Sequence, residues 1–221
     1  PVVKSAAGEY RGTREGSIHA FRGIRFAAPP VGPLRWKPPQ EAPRVADVQD
    51  ATRFGPICPQ PVRKSYVGFL EGREQSEDCL TLNIWKEAAP NAPRPVMVYI
   101  HAGGSTSGSG SFESVHGTRL AEEGVVVVTF NYRLGVLGYF AHPALTRAAR
   151  PDEPLASFGL MDQIAVLRWV RDNIAAFGGD PGKVTIFGMS AGAQSVNYLM
   201  AVPAARGLFH RAISESSALN M

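Results

Sequence analysis

Long apolar runs are missing from this chain. Runs such as Val96 to Ile100 and Val125 to Val128 fall far short of the roughly 18 residues that a membrane-spanning helix needs. Charge is also scarce, at 19% of residues against 44% apolar, with a formal balance of only +4. Such a composition speaks against intrinsic disorder. No run of basic residues interleaves with aromatics, so a nucleic-acid partner is not expected. Cysteine occurs only as Cys58 and Cys79, in no C-x-x-C pair and no metal-ligand spacing. The two are either buried thiols or one disulfide. No N-x-[ST] acceptor and no internal repeat occurs. The chain opens at Pro1 with neither an initiator Met nor a basic-then-apolar leader, so a signal peptide is either removed or never existed. At 221 residues, a soluble chain with one or two cores is expected.

The first 28 positions alternate loosely around Gly8, Gly12 and Gly16, as at Tyr10, Ile18, Phe21 and Ile24, and suggest a small antiparallel sheet. Pro29, Pro30, Pro33, Pro38, Pro39 and Pro43 then remove too many backbone donors for a helix or central strand. That segment is an extended surface loop, with Trp36 its apolar anchor. After Cys79 come short, nearly continuous apolar runs: Leu80 to Trp85, Val96 to Ile100, Val125 to Phe130 and Val184 to Phe187. Runs of this kind predict strands buried on both faces of a largely parallel sheet. A helix is predicted from about Gly159 to Phe177, where Leu160, Ile164, Leu167, Ile174 and Phe177 recur at helical spacing and Asp162, Arg168, Arg171 and Asp172 fall elsewhere. Gly178-Gly179 stop it. Strands alternating with helices indicate an α/β fold with a mostly parallel central sheet flanked by helices.

The chemistry gathers at Val184 to Ala193. A strand runs into Gly188-Met189-Ser190-Ala191-Gly192, a G-x-S-x-G motif, and then into a helical stretch from about Ala191 to Met200. In that setting the motif is a nucleophile elbow, in which a strained serine is presented above the sheet and the glycines let helix and strand pass closely. The Ala191 backbone N–H then points at any developing oxyanion. A second Gly-rich loop, His101-Ala102-Gly103-Gly104-Ser105, follows the strand Val96 to Ile100 and suits further oxyanion donors, because glycine allows close backbone approach. Nucleotide-binding readings fail on spacing. Gly108-x-Gly110 is completed by Glu113 where G-x-G-x-x-G needs glycine, and Gly178 to Lys183 has Phe177 and Val184 at the defining ends of a P-loop.

Several segments together resemble one family. Glu77-Asp78-Cys79-Leu80-Thr81-Leu82-Asn83-Ile84-Trp85, and Phe177-Gly-Gly-Asp180-Pro181 through Gly192, are similar to the two signature segments of the type-B carboxylesterases, the α/β-hydrolase family that includes cholinesterases. Phe21-Arg22-Gly23-Ile24, Phe54 to Pro59 and Asn131 to Gly135 resemble further family segments, so the likeness spans essentially the whole chain. The resemblance implies the α/β-hydrolase fold and a serine esterase acting through an acyl-enzyme. It assigns the nucleophile to Ser190 and the oxyanion hole to Gly103, Gly104 and Ala191. It also implies a Cys58–Cys79 disulfide, with a periplasmic or secreted location favoured and the cytoplasm still open, and buried ion pairs that draw on Arg22, Glu77 and Arg133. No metal or organic cofactor is implied.

The pattern breaks after the serine. In α/β-hydrolases an acid and then a histidine follow the nucleophile, but the segment from Ala191 holds only His210 before Glu215, where a helix end leads into a strand. His19, His116 and His142 carry no catalytic signature, and His101 braces its loop. The chain therefore reads as the N-terminal portion, residues 1–221, of a single α/β-hydrolase domain whose acid and histidine lie on a C-terminal segment, on the same or a separate chain. Met189 stands where the family commonly has Glu, and Ser105-Thr106 where it has an aromatic. With His101, Ser105 and Met189 as pocket candidates, the expected substrate is a bulky polar, neutral or anionic ester rather than a choline-type ester, unless Met189 merely packs under the helix. The rival readings are a noncatalytic binding or adhesion member of the same fold and an inactive fragment.

Overall fold

A computed structural model describes residues 1–62, 70–151 and 153–217. Its strands are β1 (Val2–Ser5), β2 (Gly8–Arg11), β3 (Thr13–Glu15), β4 (Ile18–Arg25), β5 (Gln49–Asp50), β6 (Thr81–Glu87), β7 (Arg94–Ile100), β8 (Val126–Phe130), β9 (Gly179–Met189) and β10 (Arg211–Glu215). Its helices are α1 (Thr118–Glu122), α2 (Gly135–Tyr139), α3 (Pro143–Ala148), α4 (Phe158–Asn173) and α5 (Ala191–Ala201). The main sheet runs β10-β9-β7-β8-β6-β4-β3. From β10 to β8 the neighbours are parallel, and from β8 to β3 they are antiparallel. The small N-terminal sheet is present, but it holds only β1 antiparallel to β2, with β5 alongside. β3 and β4 join the main sheet instead, because β4 carries Ile18, Ala20, Phe21 and Ile24 into the core.

The run Leu80 to Trp85 leads into and fills most of β6, which is antiparallel to both neighbours rather than parallel. Both of its faces are covered, and that burial produces the continuous apolar pattern. Burial carries no information about strand direction, so the sequence misled on this point.

Successive residues face opposite sides of a strand, so each buried strand feeds two packing layers. Val127, Trp85, Ile18 and Ala20 meet Ala121 of α1 on one face. Val126, Val128, Ile84, Val98 and Ile186 face the other way, against Ile164 and Val170 of α4 and Val196 of α5. Each fully buried Val or Ile among them contributes about 1.5–3 kcal/mol. Phe177, just past α4, joins the small sheet to this layer: its ring lies 5.2 Å from Phe21 and 6.3 Å from Tyr10.

α4 follows the predicted helix closely, ending in a 3-10 turn at Ile174–Phe177. One of its residues departs from the pattern. Asp162 does not fall on the solvent side; it is fully buried, against Arg133. The proline-rich segment remains an irregular loop with one short 3-10 turn at Gly32–Leu34. Trp36 pins it, donating Nε1–H to the Val136 carbonyl at 2.9 Å and packing 5.5 Å from Phe140. Among the described residues no helix is long and apolar enough to cross a membrane.

Candidate functional site

Two loops meet because their parent strands are neighbours. β7 and β9 pair in parallel, with Ile100 opposite Gly188, so His101–Ser105 and Met189–Ala191 leave the sheet at the same edge. Ser190 has φ 56° and ψ −119°, a strained conformation for a residue with a β-carbon. Its amide donates to the Glu215 carbonyl at 2.9 Å, and its own carbonyl accepts from the Gln194 amide at 2.9 Å. The side chain is on an exposed residue, immediately before the first turn of α5. Ala191 is the first residue of that helix. Gly192 is second, and a β-carbon there would stand 2.0 Å from the Ile100 carbonyl oxygen, so only glycine lets α5 start this close to β7.

The loop after β7 is tightly folded. Gly103 sits at φ 123°, where a β-carbon would lie 2.0 Å from the Ser107 oxygen. Its carbonyl accepts from the Ser107 amide at 3.0 Å, the Ser107 hydroxyl at 3.0 Å and the Thr106 amide at 3.1 Å. Gly104 is the exposed tip. Ser105, at φ 56°, accepts the Gly135 amide on its carbonyl at 2.7 Å. Its hydroxyl bonds to Tyr139, whose own hydroxyl is pushed up to about 12 by burial.

His101 is 3% exposed. Its ring stacks on Tyr132 at 4.3 Å, and the Tyr132 hydroxyl donates to the His101 carbonyl at 2.9 Å. Nδ1 lies 2.8 Å from the Ala102 carbonyl, which only accepts, so Nδ1 carries the proton. Burial lowers this imidazole to about 4, so it is neutral near pH 7. Met189 does not pack under the helix; it is 46% exposed and lines a cavity of about 140 Å³ with Tyr99, His101 and Phe112.

The remaining histidines are engaged away from Ser190. His210 brackets Val184 midway along β9, taking its amide on Nδ1 at 3.2 Å and donating its own amide to the Val184 carbonyl at 2.8 Å. His116 packs against Phe54 and Trp85. His142 caps α3 by accepting the Ala144 amide, and His19 lies opposite Lys86 within the sheet. Among the described residues no group of three or more His, Cys, Asp or Glu is placed to hold a metal ion.

Cys58 and Cys79 form the disulfide that the resemblance implied. The ion pairs need correction. Arg133 is buried and binds Asp162 through its amide (3.0 Å), Nε (2.8 Å) and Nη2 (2.7 Å), with Nη1 donating to the Lys37 carbonyl at 2.8 Å. Arg22 pairs with the part-exposed Glu15. Glu77 is held bidentately by Arg35 in a pair whose side chains are 24% and 42% exposed, so it is not a buried charge. Three residues escaped the sequence reading: Asp162, Arg35 and Gln60, the last of which hydrogen-bonds both polar groups of the Gly108 backbone. The one available signal for Asp162 was its four-residue spacing from Phe158 and Val166, a second apolar face of the helix. Gln60 follows Cys58 closely but carries no local signal of its own.

Comparison with known proteins agrees with this geometry. The sequence model of the carboxylesterase family matches residues 1–221. Para-nitrobenzyl esterase of Bacillus subtilis (strain 168) is 47% identical over 218 residues, covering 98% of this chain and 44% of that protein. Fumonisin B1 esterase of Sphingopyxis macrogoltabida is 45% identical over 206 residues, covering 93% of this chain and 38% of that protein. A solved PNB esterase superposes with a TM-score of 0.92 at 45% identity, over 98% of this chain and 44% of its own. A Geobacillus stearothermophilus carboxylesterase gives 0.84 at 42% identity, over 96% and 42%. The chain thus spans less than half the length of these relatives. With its strand-serine-helix turn, its sheet order and a match along its whole length, the chain belongs to the carboxylesterase family and has the α/β-hydrolase fold.

Proposed function

We propose that this chain is the N-terminal portion of a single α/β-hydrolase domain and carries the nucleophilic half of a serine carboxylic-ester hydrolase. Ser190 Oγ attacks the ester carbonyl and hands its proton to a histidine on the remainder of the protein, which an acidic residue orients. The amides of Gly103, Gly104 and Ala191 stabilise the oxyanion. The tetrahedral adduct collapses, the bond to the alcohol oxygen breaks, and the histidine returns the proton to the departing alcohol. Water, deprotonated by the same histidine, then releases the acid and frees Ser190. The observation that carries this reading is the strained φ 56° turn of Ser190 between β9 and α5, beside the Gly-rich loop after β7. A noncatalytic binding protein has no use for an exposed serine held in that strain.

The relatives' names include esterases of para-nitrobenzyl esters and of fumonisin B1. With the exposed Met189 directly before Ser190 in sequence and the Ser105 and Thr106 hydroxyls at the site, the preferred substrate is a bulky polar, neutral or anionic ester. The Cys58–Cys79 bond favours a periplasmic or secreted location. The test is labelling of the protein with its C-terminal remainder by a fluorophosphonate, with Ser190→Ala as control. Label on Ser190, with hydrolysis of a para-nitrobenzyl ester, supports the reading. An unlabelled serine, or label that survives Ser190→Ala, refutes it. Faster turnover of a choline ester than of its neutral isostere overturns the substrate class.

A further inference from the structure

Gln60 lies far from Ser190 in sequence, yet it grips the loop that carries Gly103 and Gly104. Its Oε1 accepts the Gly108 amide at 2.8 Å, and its Nε2 donates to the Gly108 carbonyl at 3.0 Å and to the Cys58 carbonyl at 3.0 Å. Only this amide orientation satisfies all three, because the N–H faces an acceptor and both carbonyls face donors. The Gln60 backbone is fixed in turn, its amide donating to Gln75 Oε1 at 2.9 Å, and Cys58 is tied to Cys79. Gln60 therefore projects from an anchored segment.

At the other end of the clamp, Gly108 has no slack. A β-carbon on it would stand 2.3 Å from the Ala102 oxygen and 2.4 Å from His101 Nδ1. Ser107, the preceding residue, is bound to the Gly103 carbonyl through both its amide and its hydroxyl. Any shift of Gly108 is thus passed directly to Ala102 and Gly103. We infer that Gln60 is a positioning residue for the oxyanion loop: its bidentate hold on Gly108 fixes where the Gly103 and Gly104 amides point. This inference rests on the serine-esterase reading above.

Direct loss of one oxyanion donor lowers turnover by about 10²–10³. Displacing the loop is milder, about tenfold, and falls on the transition state alone, because only there does the oxyanion exist. The experiment uses the protein with its C-terminal remainder and the variants Gln60→Met, which keeps volume but loses all three bonds, and Gln60→Glu, which keeps the bond from the Gly108 amide and sets a carboxylate against two carbonyls. Measured are kcat, KM, Tm and the inhibition constant of a trifluoromethyl ketone, whose serine adduct bears an oxyanion. Expected in both variants are a kcat about tenfold lower, KM within twofold, and ketone affinity weakened by the same factor as kcat. Unchanged kcat and ketone affinity, a KM that moves as far as kcat, or failure of both variants to fold overturns the positioning role. If the unsubstituted protein forms no ketone adduct at Ser190, the serine reading itself fails and the inference goes with it. If it does and the variants match it, only the role of Gln60 fails.

Discussion

Gly192 lies beneath Ile100 so closely that its Cα hydrogen occupies the place where a β-carbon would stand 2.0 Å from the Ile100 carbonyl. This contact joins the start of α5 to the end of β7, and so sets the Ser190 turn against the loop of Gly103 and Gly104. Gly192→Ala must push the helix off the sheet. A loss of about 3 kcal/mol in stability is expected, at the upper end for an overpacked contact. Chemical unfolding measures it, and the rate of fluorophosphonate labelling should fall with it.

Ser190 stores strain that glycine would release. At φ 56° and ψ −119° a β-carbon costs about 1–3 kcal/mol. Ser190→Gly is therefore expected to raise stability by about 1 kcal/mol while abolishing ester hydrolysis. A thermal melt paired with an activity assay checks both, and a lower Tm counts against stored strain.

Arg133 satisfies both carboxylate oxygens of a fully buried Asp162. Removing it alone leaves an unpaired charge in the core, so Arg133→Ala is expected to cost about 3–5 kcal/mol. Replacing both partners, as Arg133→Met with Asp162→Leu, is expected to cost less than the single change. A double-mutant cycle in urea compares them.

His101 makes stability depend on acidity. Its folded value is lowered from 6.5 to about 4, so between those limits the unfolded chain binds the proton more readily. The contribution is fully present above about pH 6.5 and is lost as pH falls through that window, the loss amounting to about 3 kcal/mol near pH 4. His101→Gln is expected to flatten that part of the profile. Urea unfolding at pH 7 and pH 5 reads the difference.

The elbow was legible because its information is local: a Val- and Ile-rich strand, Gly188 and Gly192 about the serine, and a helical stretch after it. The end of α4 was legible for the same reason, since Gly178 takes a left-handed conformation where the helix stops. What stayed hidden depended on distant partners. The antiparallel placing of β6 is decided by β4 and β8, not by its own residues. Asp162 looks like a surface carboxylate until Arg133 arrives from another part of the chain. Glu77 looks like a buried charge because its family segment is strong, yet it lies with Arg35 near the surface. Gln60 has no pattern to betray it, since an amide side chain gains its role only when Gly108 is folded beside it.

The parallel pairing of Ile100 with Gly188 joins segments that stand far apart along the chain. Contacts of such long sequence separation form slowly, after loop closure has been overcome. Helices α4 and α5 can take shape early from local contacts, but the serine and its facing glycines come together only when β9 docks on β7. Reactivity toward a phosphonate probe is then a clock for folding: during refolding it should lag behind helical circular dichroism and report the moment the sheet closes.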